Sequence, residues 1–340
     1  MKKDKQKNSD IEVLTDLEKT KEIDLEKKKD ESIKSKKSKE KKGNLKGNVL
    51  FILIVLVFIA IFSVSSYYSY KYFTKKEDYK GMFTKEELPR VDASLATQPL
   101  MDKYVKYFTD SDIKIDYTNT HPAYEKLAKG KTDLIIVTYP SKTAKDLLDK
   151  NDVDVDIIKV VNEGFVFFVN KENKVDNLSL KQIQSIYTGD VTNWKELGGD
   201  DAKILAYQRP DTSGSQTGLK ELVMKDLKIK SPAIKEFVPT MSGVIDYVAD
   251  YKDDKRAIAY SYYYYANVMY ANDNIKFLGI NGVKPSFDTI RDNSYPLLTS
   301  YYIVINKKAK DNSNIRKLVN AMLSEQGQKL AMEAGYVPVK

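Results

Sequence analysis

Cysteine is absent from this 340-residue sequence, and histidine occurs once, as His121. Without cysteine there is no disulfide framework, no thiolate zinc site, no thiol nucleophile and no lipid-modified cysteine anchor. A single histidine excludes a multi-histidine metal site, and a Ser-His-Asp hydrolase could draw only on His121. Neither the G-x-x-x-x-G-K-S/T loop nor the G-x-G-x-x-G fingerprint occurs, and no acidic spacing resembles an EF-hand. No metal or cofactor is implied, and the chain reads as a binding protein, not an enzyme. Charge of one sign is also scarce outside the N-terminus. Residues 1–48 hold 16 lysines against 11 acidic side chains, whereas the rest carries 40 basic and 37 acidic ones. That near balance argues against a nucleic-acid partner.

Residues 1–48 contain no proline, no aromatic residue and only two glycines. So little apolar surface cannot offset chain entropy, and the segment reads as a disordered, charged cytoplasmic tail. Val49 to Val64 then reads VLFILIVLVFIAIFSV, sixteen residues without a charge. Extended by Ser65 and Ser66, the run at 49–66 predicts a transmembrane helix. Tyr67, Tyr68, Tyr70 and Tyr72 follow it as an interfacial belt would, at the start of a linker over 67–87. Seven lysines and one glutamate in residues 34–46 keep the N-terminus in the cytoplasm and send the remainder across the plasma membrane. A cleaved signal peptide is the rival reading. The preface is long for one, and no small-x-small cleavage site stands out.

From residue 88 onward strand-like and helix-like stretches alternate. Candidate strands are 113–117, 133–139, 155–161, 164–170, 203–209, 257–261, 275–280 and 300–306. Candidate helices are 98–108, 123–130, 179–189 with Ser179 as N-cap, 217–225, and 315–335 closing on Gly335. The alternation predicts an α/β fold with a mostly parallel sheet. The sharpest local feature is YQRPDTSGSQTGLKELVM at 207–224. A strand ends in Arg209, small and hydroxyl residues follow, and an amphipathic helix begins. Convergent N–H groups, hydroxyls and a forked cation suit an oxyanion. The plainer account is a strand-turn-helix in which Ser213 is an ordinary N-cap. The lone His121 reads as a helix-start residue that could edge a cleft, Trp194 as packing, and SYYYYA (261–266) as strand-then-helix burial.

Four stretches, in order, resemble the substrate-binding proteins of phosphate ABC transporters. They are RPDTSGS (209–215), IYTGDVTNWKELGG (186–199), TIRDNSYPL (289–297) and SEQGQKLAMEAGYVPV (324–339). The resemblance implies the two-lobed type II periplasmic-binding-protein fold, with a hinge and a ligand cleft, over residues 88–340. Lobe one would comprise 88–165 plus 297–340, and lobe two 166–296. It further implies inorganic phosphate or a related oxyanion as ligand and an ABC permease as partner. By the same resemblance Arg209, Ser213, Gly214 and Ser215 are ligand contacts, with Asp211 buttressing Arg209. Thr120 falls at a hydroxyl position. Leu95 and Ala96 stand where the family offers a helix N-terminus, with Ser94 or Thr97 as substitute hydroxyl. Thr138 stands where many phosphate binders place an acidic residue, which puts phosphate-over-sulfate selectivity in question, because a threonine donates as well as accepts. Asp133 aligns with a different aspartate, at the start of the strand. Familiar transport versions are free or lipid-anchored, so a tail coupled to a ligand sensor or scaffold is the alternative function.

Overall fold

The computed structural model describes residues 27, 29–34, 51, 53–69, 79–115, 117–233, 236–250 and 255–339. Most of the tail expected to be disordered lies outside them; within it, residues 29–34 are helical, where Lys27 and Glu31 have the spacing that supports a helix. Of the expected transmembrane helix, residues 53–66 are helical, in a run that continues to 69, while Val49, Leu50 and Ile52 lie outside the described residues. Among those described, no helix is long and apolar enough to cross a membrane.

The chain divides into two compact units, 1–77 and 78–340. The second is built on strand β1 (Val91–Ala93), helices α1 (Gln98–Thr109) and α2 (Thr120–Ala128), strand β2 (Leu134–Val137), helix α3 (Lys142–Lys150) and the 16-residue strand β3 (Val155–Asn170). There follow β4 (Asn177–Leu178), α4 (Leu180–Thr188), β5 (Leu205–Ala206) and α5 (Gly214–Gly218), which runs on as a π-helical stretch, Leu219–Met224. Next come α6 (Met241–Ala249), β6 (Ala257–Tyr262), a second π-helical stretch (Tyr265–Met269), β7 (Ile275–Phe277), β8 (Gly279–Ile280) and α7 (Phe287–Arg291). The chain closes through β9 (Leu298–Asn306), α8 (Asn314–Leu323), α9 (Glu325–Glu333) and β10 (Val337–Pro338).

The sheet runs β1-β2-β9-β3-β6-β5, with β10 and β7 also paired to β3. β3 makes two lobes out of one sheet. Its residues 155–164 pair with β9, and from Phe165 to Val169 it pairs with β6. The two strands expected at 155–161 and 164–170 are thus one, because the strand runs on through Asn162 and Glu163 and takes a second neighbour beyond them. The C-terminus returns to the first lobe, where Val337 pairs with Asn162 and the Tyr336 hydroxyl donates to the Ala96 carbonyl at 2.8 Å.

Several expectations are corrected. The sheet is mixed: β1–β2 and β5–β6 are parallel, but β2–β9, β3–β9 and β3–β6 are antiparallel. The strands that cross between lobes must run against the βαβ strands they join. Among the described residues of the segment 113–117 only Tyr117 pairs, in a single bridge to Ala93. The helix expected over 315–335 breaks at Ser324. That residue is extended, and its hydroxyl caps α9 by accepting from Gly327 N at 3.0 Å. A Cβ on Gly327 would run into the carbonyl oxygens of Ala321 and Met322, so only glycine lets the second helix start so close to the first. Where the pattern was clear the local chemistry matches it: Ser179 and Gln182 form a reciprocal capping box at α4.

The core is rich in tyrosine, with Tyr104, Tyr124, Tyr187, Tyr260, Tyr295, Tyr301 and Tyr336 all fully buried. Buried phenols need partners, and several staple distant segments. Tyr295 donates to the Phe165 carbonyl at 3.0 Å and Tyr264 to that of Ala334 at 2.7 Å. The SYYYYA run is strand to Tyr262 and helical after it, as its burial pattern predicted.

Candidate functional site

The loop after β5 is pinned at both ends. Tyr207 N donates to the Ile258 carbonyl at 3.0 Å, which extends the pairing with β6. Arg209 N donates to Gln216 Oε1 at 3.0 Å and to the Tyr260 hydroxyl at 3.1 Å, and the Tyr260 hydroxyl also bonds Gln216 Oε1. Ser213 is indeed an N-cap, its Oγ accepting from Gln216 N at 3.1 Å. A hydroxyl that accepts keeps its proton to donate, so capping and ligand contact are compatible. The Tyr262 hydroxyl donates to the Gly214 carbonyl at 2.9 Å and holds the turn from behind.

A cavity of about 430 Å³ opens against this loop, between the lobes. Ser94, Leu95 and Ala96 line it from the 3₁₀ turn after β1, Thr120 from the start of α2 and Thr138 from the end of β2. Arg209, Ser213, Gly214 and Ser215 line it from the second lobe, so all nine residues proposed as ligand contacts share one cavity. The lobes meet closely here. A Cβ placed on Gly214 would lie 2.8 Å from Thr138 Oγ1 and 2.9 Å from Thr120 Oγ1. Glycine is what lets two hydroxyls of one lobe approach the loop of the other.

Four polar atoms on this wall are buried without a hydrogen bond: Arg209 Nε, Ser215 Oγ, the Tyr301 hydroxyl and Thr138 Oγ1, the last close to the Tyr262 hydroxyl. The guanidinium of Arg209 makes one bond, from Nη2 to the Pro239 carbonyl at 3.2 Å. Among the described residues no carboxylate pairs with it. Burial lowers its pKa, while the nearby Tyr260 and Tyr265 act in the opposite sense; an arginine stays charged regardless. A buried, unpaired cation beside orphan hydroxyls is costly alone and calls for an anion.

Asp211 is corrected. It does not buttress Arg209; it faces solvent and pairs with Lys220 Nζ at 2.7 Å. The turn at residues 211–212 carries it outward, and Thr212 lines the cavity instead. Thr97 also lies off the cavity wall, because its hydroxyl donates to the Ser94 and Ile136 carbonyls at 2.9 and 3.1 Å. Ser94 is therefore the hydroxyl of that turn that reaches the cavity. Asp133 lies outside it, clamping Arg90 at 2.6 and 3.0 Å. His121, in the first turn of α2, is not on the wall, and Trp194 is buried with Nε1 donating to the Arg256 carbonyl at 2.8 Å.

Sequence reasoning missed a second set of wall residues: Asn119, Met241, Tyr262, Tyr265, Met269, Tyr270 and Tyr301. The tyrosine run at 261–265 is the visible signal, but burial alone explains it equally well.

A family model described as "PBP superfamily domain" matches residues 92–326. The chain is similar to the phosphate-binding protein PstS of Staphylococcus aureus, at 28% identity over 245 residues, 71% of this chain and 73% of that protein. It is similar also to the phosphate-binding protein PstS of Borreliella burgdorferi, at 25% identity over 84% of this chain and 99% of that one. Among solved structures, an ABC-type phosphate transport receptor from Vibrio cholerae shares the fold with a TM-score of 0.57 at 21% identity, over 73% of this chain and 98% of that one.

Proposed function

The chain belongs to the PBP superfamily, and from that premise we propose that it is an extracytoplasmic solute-binding protein that captures an inorganic oxyanion, phosphate above all, and delivers it to an ABC permease. Its relatives are named as phosphate-binding proteins, which agrees with a chain that binds and does not catalyse. The observation that carries the reading is Arg209, a buried guanidinium that no carboxylate among the described residues pairs with, set against orphan Ser215 Oγ and Thr138 Oγ1. Desolvating a multiply charged anion is costly, so several charge-assisted donors must converge on it. Ser94, Thr120, Thr138, Ser213 and Ser215 supply hydroxyls. Gly214 and Ser215 supply first-turn N–H groups that no described hydrogen bond uses. Leu95 and Ala96 contribute backbone only.

Calorimetry of the purified chain with phosphate and sulfate across pH tests this. Phosphate should bind and release heat; no binding of any oxyanion would end the proposal. In the same assay Thr138→Asp should raise the phosphate-to-sulfate affinity ratio by about tenfold or more. A carboxylate accepts the proton of hydrogen phosphate and repels fully ionised sulfate at a cost of about 1 kcal/mol or more at contact distance. An unchanged ratio would place the Thr138 side chain away from the ligand.

Residues 53–69 expose apolar side chains along their helical run, among them Phe58, Ile61 and Phe62. An apolar surface of this kind is covered by lipid or protein in a working molecule. The reading is therefore of a single-pass membrane anchor with the N-terminus in the cytoplasm and residues 78–340 outside. In cell fractionation the full chain should stay with membranes through an alkaline wash, and a chain beginning at residue 78 should not. Recovery of the full chain in the soluble fraction would overturn the anchor and leave the binding site untouched.

A further inference from the structure

The cavity is larger than its anion wall requires. A tetrahedral oxyanion needs roughly the room of three or four waters, on the order of 100 Å³, whereas the cavity measures about 430 Å³. The excess is not a gap left by parted lobes, because Thr120 and Thr138 already crowd Gly214 across the cleft. Beyond the anion wall the lining includes Met241, Tyr265, Met269 and Tyr270 of the second lobe, with Thr240 and Ser242 beside them. The Tyr265 and Tyr270 rings stack there with centroids 5.3 Å apart and planes at 15°. Tyr265 also senses the charge of Arg209, so this apolar wall begins beside the guanidinium. Among the described residues Arg209 is the one charged residue of the lining. No carboxylate among them lines the cavity to hold an ammonium group, and no lysine to hold a second anion; Asp246 acts on Tyr265 from outside the lining.

We propose that the site takes a phosphomonoester or phosphonate with an uncharged organic body: the anionic head on the Arg209 loop, the body against Tyr265, Met269 and Tyr270. The inference rests on the oxyanion reading above, keeps its anion wall, and extends the ligand from the bare inorganic anion to one that carries an organic body. Cavities of this volume are the usual size for small organic ligands. Aromatic and methionine side chains pack against such bodies with little demand on their exact shape.

Calorimetry on the full chain with three probes decides it: inorganic phosphate, phenylphosphonate, and 2-aminoethylphosphonate. Phenylphosphonate should bind at least as tightly as phosphate, and the cationic 2-aminoethylphosphonate at least ~10-fold more weakly than phenylphosphonate. A Met269→Ala, Tyr270→Ala double variant should lose ~10-fold or more for phenylphosphonate while its affinity for phosphate stays within twofold. Phosphate binding without detectable phenylphosphonate binding would overturn this inference alone and leave the oxyanion reading standing. Binding of neither would remove both. Equal loss for both probes in the double variant would also overturn it, since the wall would then support the anion site and not an organic body.

Discussion

Arg209→Ala should weaken phosphate binding by a factor of at least ~100. Each charge-assisted hydrogen bond to a buried ion is worth about 1.5–3 kcal/mol, and a guanidinium can give two in parallel. The ligand-free protein should lose no stability by the change, in contrast to the usual outcome for a buried residue. Arg209 is a buried cation without a carboxylate partner among the described residues, and removing an uncompensated charge relieves a desolvation cost. Titration calorimetry and thermal unfolding without ligand read the two halves separately. Equal affinity of variant and parent would refute the site. A large drop in ligand-free stability would instead assign Arg209 to the architecture, through its bond to the Pro239 carbonyl.

Glu163→Gln should change the pH dependence of stability more than any other single substitution considered for this chain. Glu163 is buried on β3, immediately before the point where that strand changes partner. Its Oε1 accepts from Gly164 N at 2.8 Å and Tyr264 N at 3.2 Å, and its Oε2 has no partner. Burial pushes its carboxyl up to about 8, against the pull of the Gly164, Tyr264 and Tyr263 amides. The groups it acts on are Tyr262, Tyr263, Tyr264, Tyr301 and Tyr336, each of which it holds further in the neutral form. No cation figures among the causes of its shift. From the ordinary carboxyl value of 4.5 up to about 8, the folded chain keeps a proton that the unfolded chain has lost. Stability contributed by this group is therefore full below pH 4.5, falls as pH rises through that window, and levels off above 8. Glutamine keeps the accepting oxygen and cannot ionise. The variant should match the parent near pH 5 and melt at least ~5 °C higher at pH 8.5. Parallel melting curves across pH would mean that Glu163 does not hold its proton in the fold.

What was legible beforehand followed from short-range chemistry. The 209–215 loop carries its own geometry: a strand that ends, small residues that turn, a serine that caps. Ser179 likewise announces α4 through a capping pair three residues apart. The merging of two strands into β3 was not legible, because Val155 to Asn170 satisfies one long strand or two short ones equally well. The outward turn of Asp211 was hidden for the same reason. Asp211 lies two positions from Arg209, which permits a contact, and only the path of the turn and the position of Lys220 on the next helix decide against it.

Composition and local pattern settled which groups this chain can deploy: one arginine among hydroxyls and amides, with no thiol and no histidine cluster. They settled an alternation of strands and helices too, since backbone preferences act over a few residues. Which distant groups meet was decided by packing alone. Thr120 and Thr138 come from one lobe and Gly214 from the other, and they meet because β3 and β9 tie the lobes together and glycine leaves no Cβ between them. Tyr265 and Tyr270 stack on each other at the cavity, Tyr265 buried and Tyr270 exposed. Contacts between residues far apart in the chain depend on the whole core being filled at once, and no short stretch of residues contains that constraint.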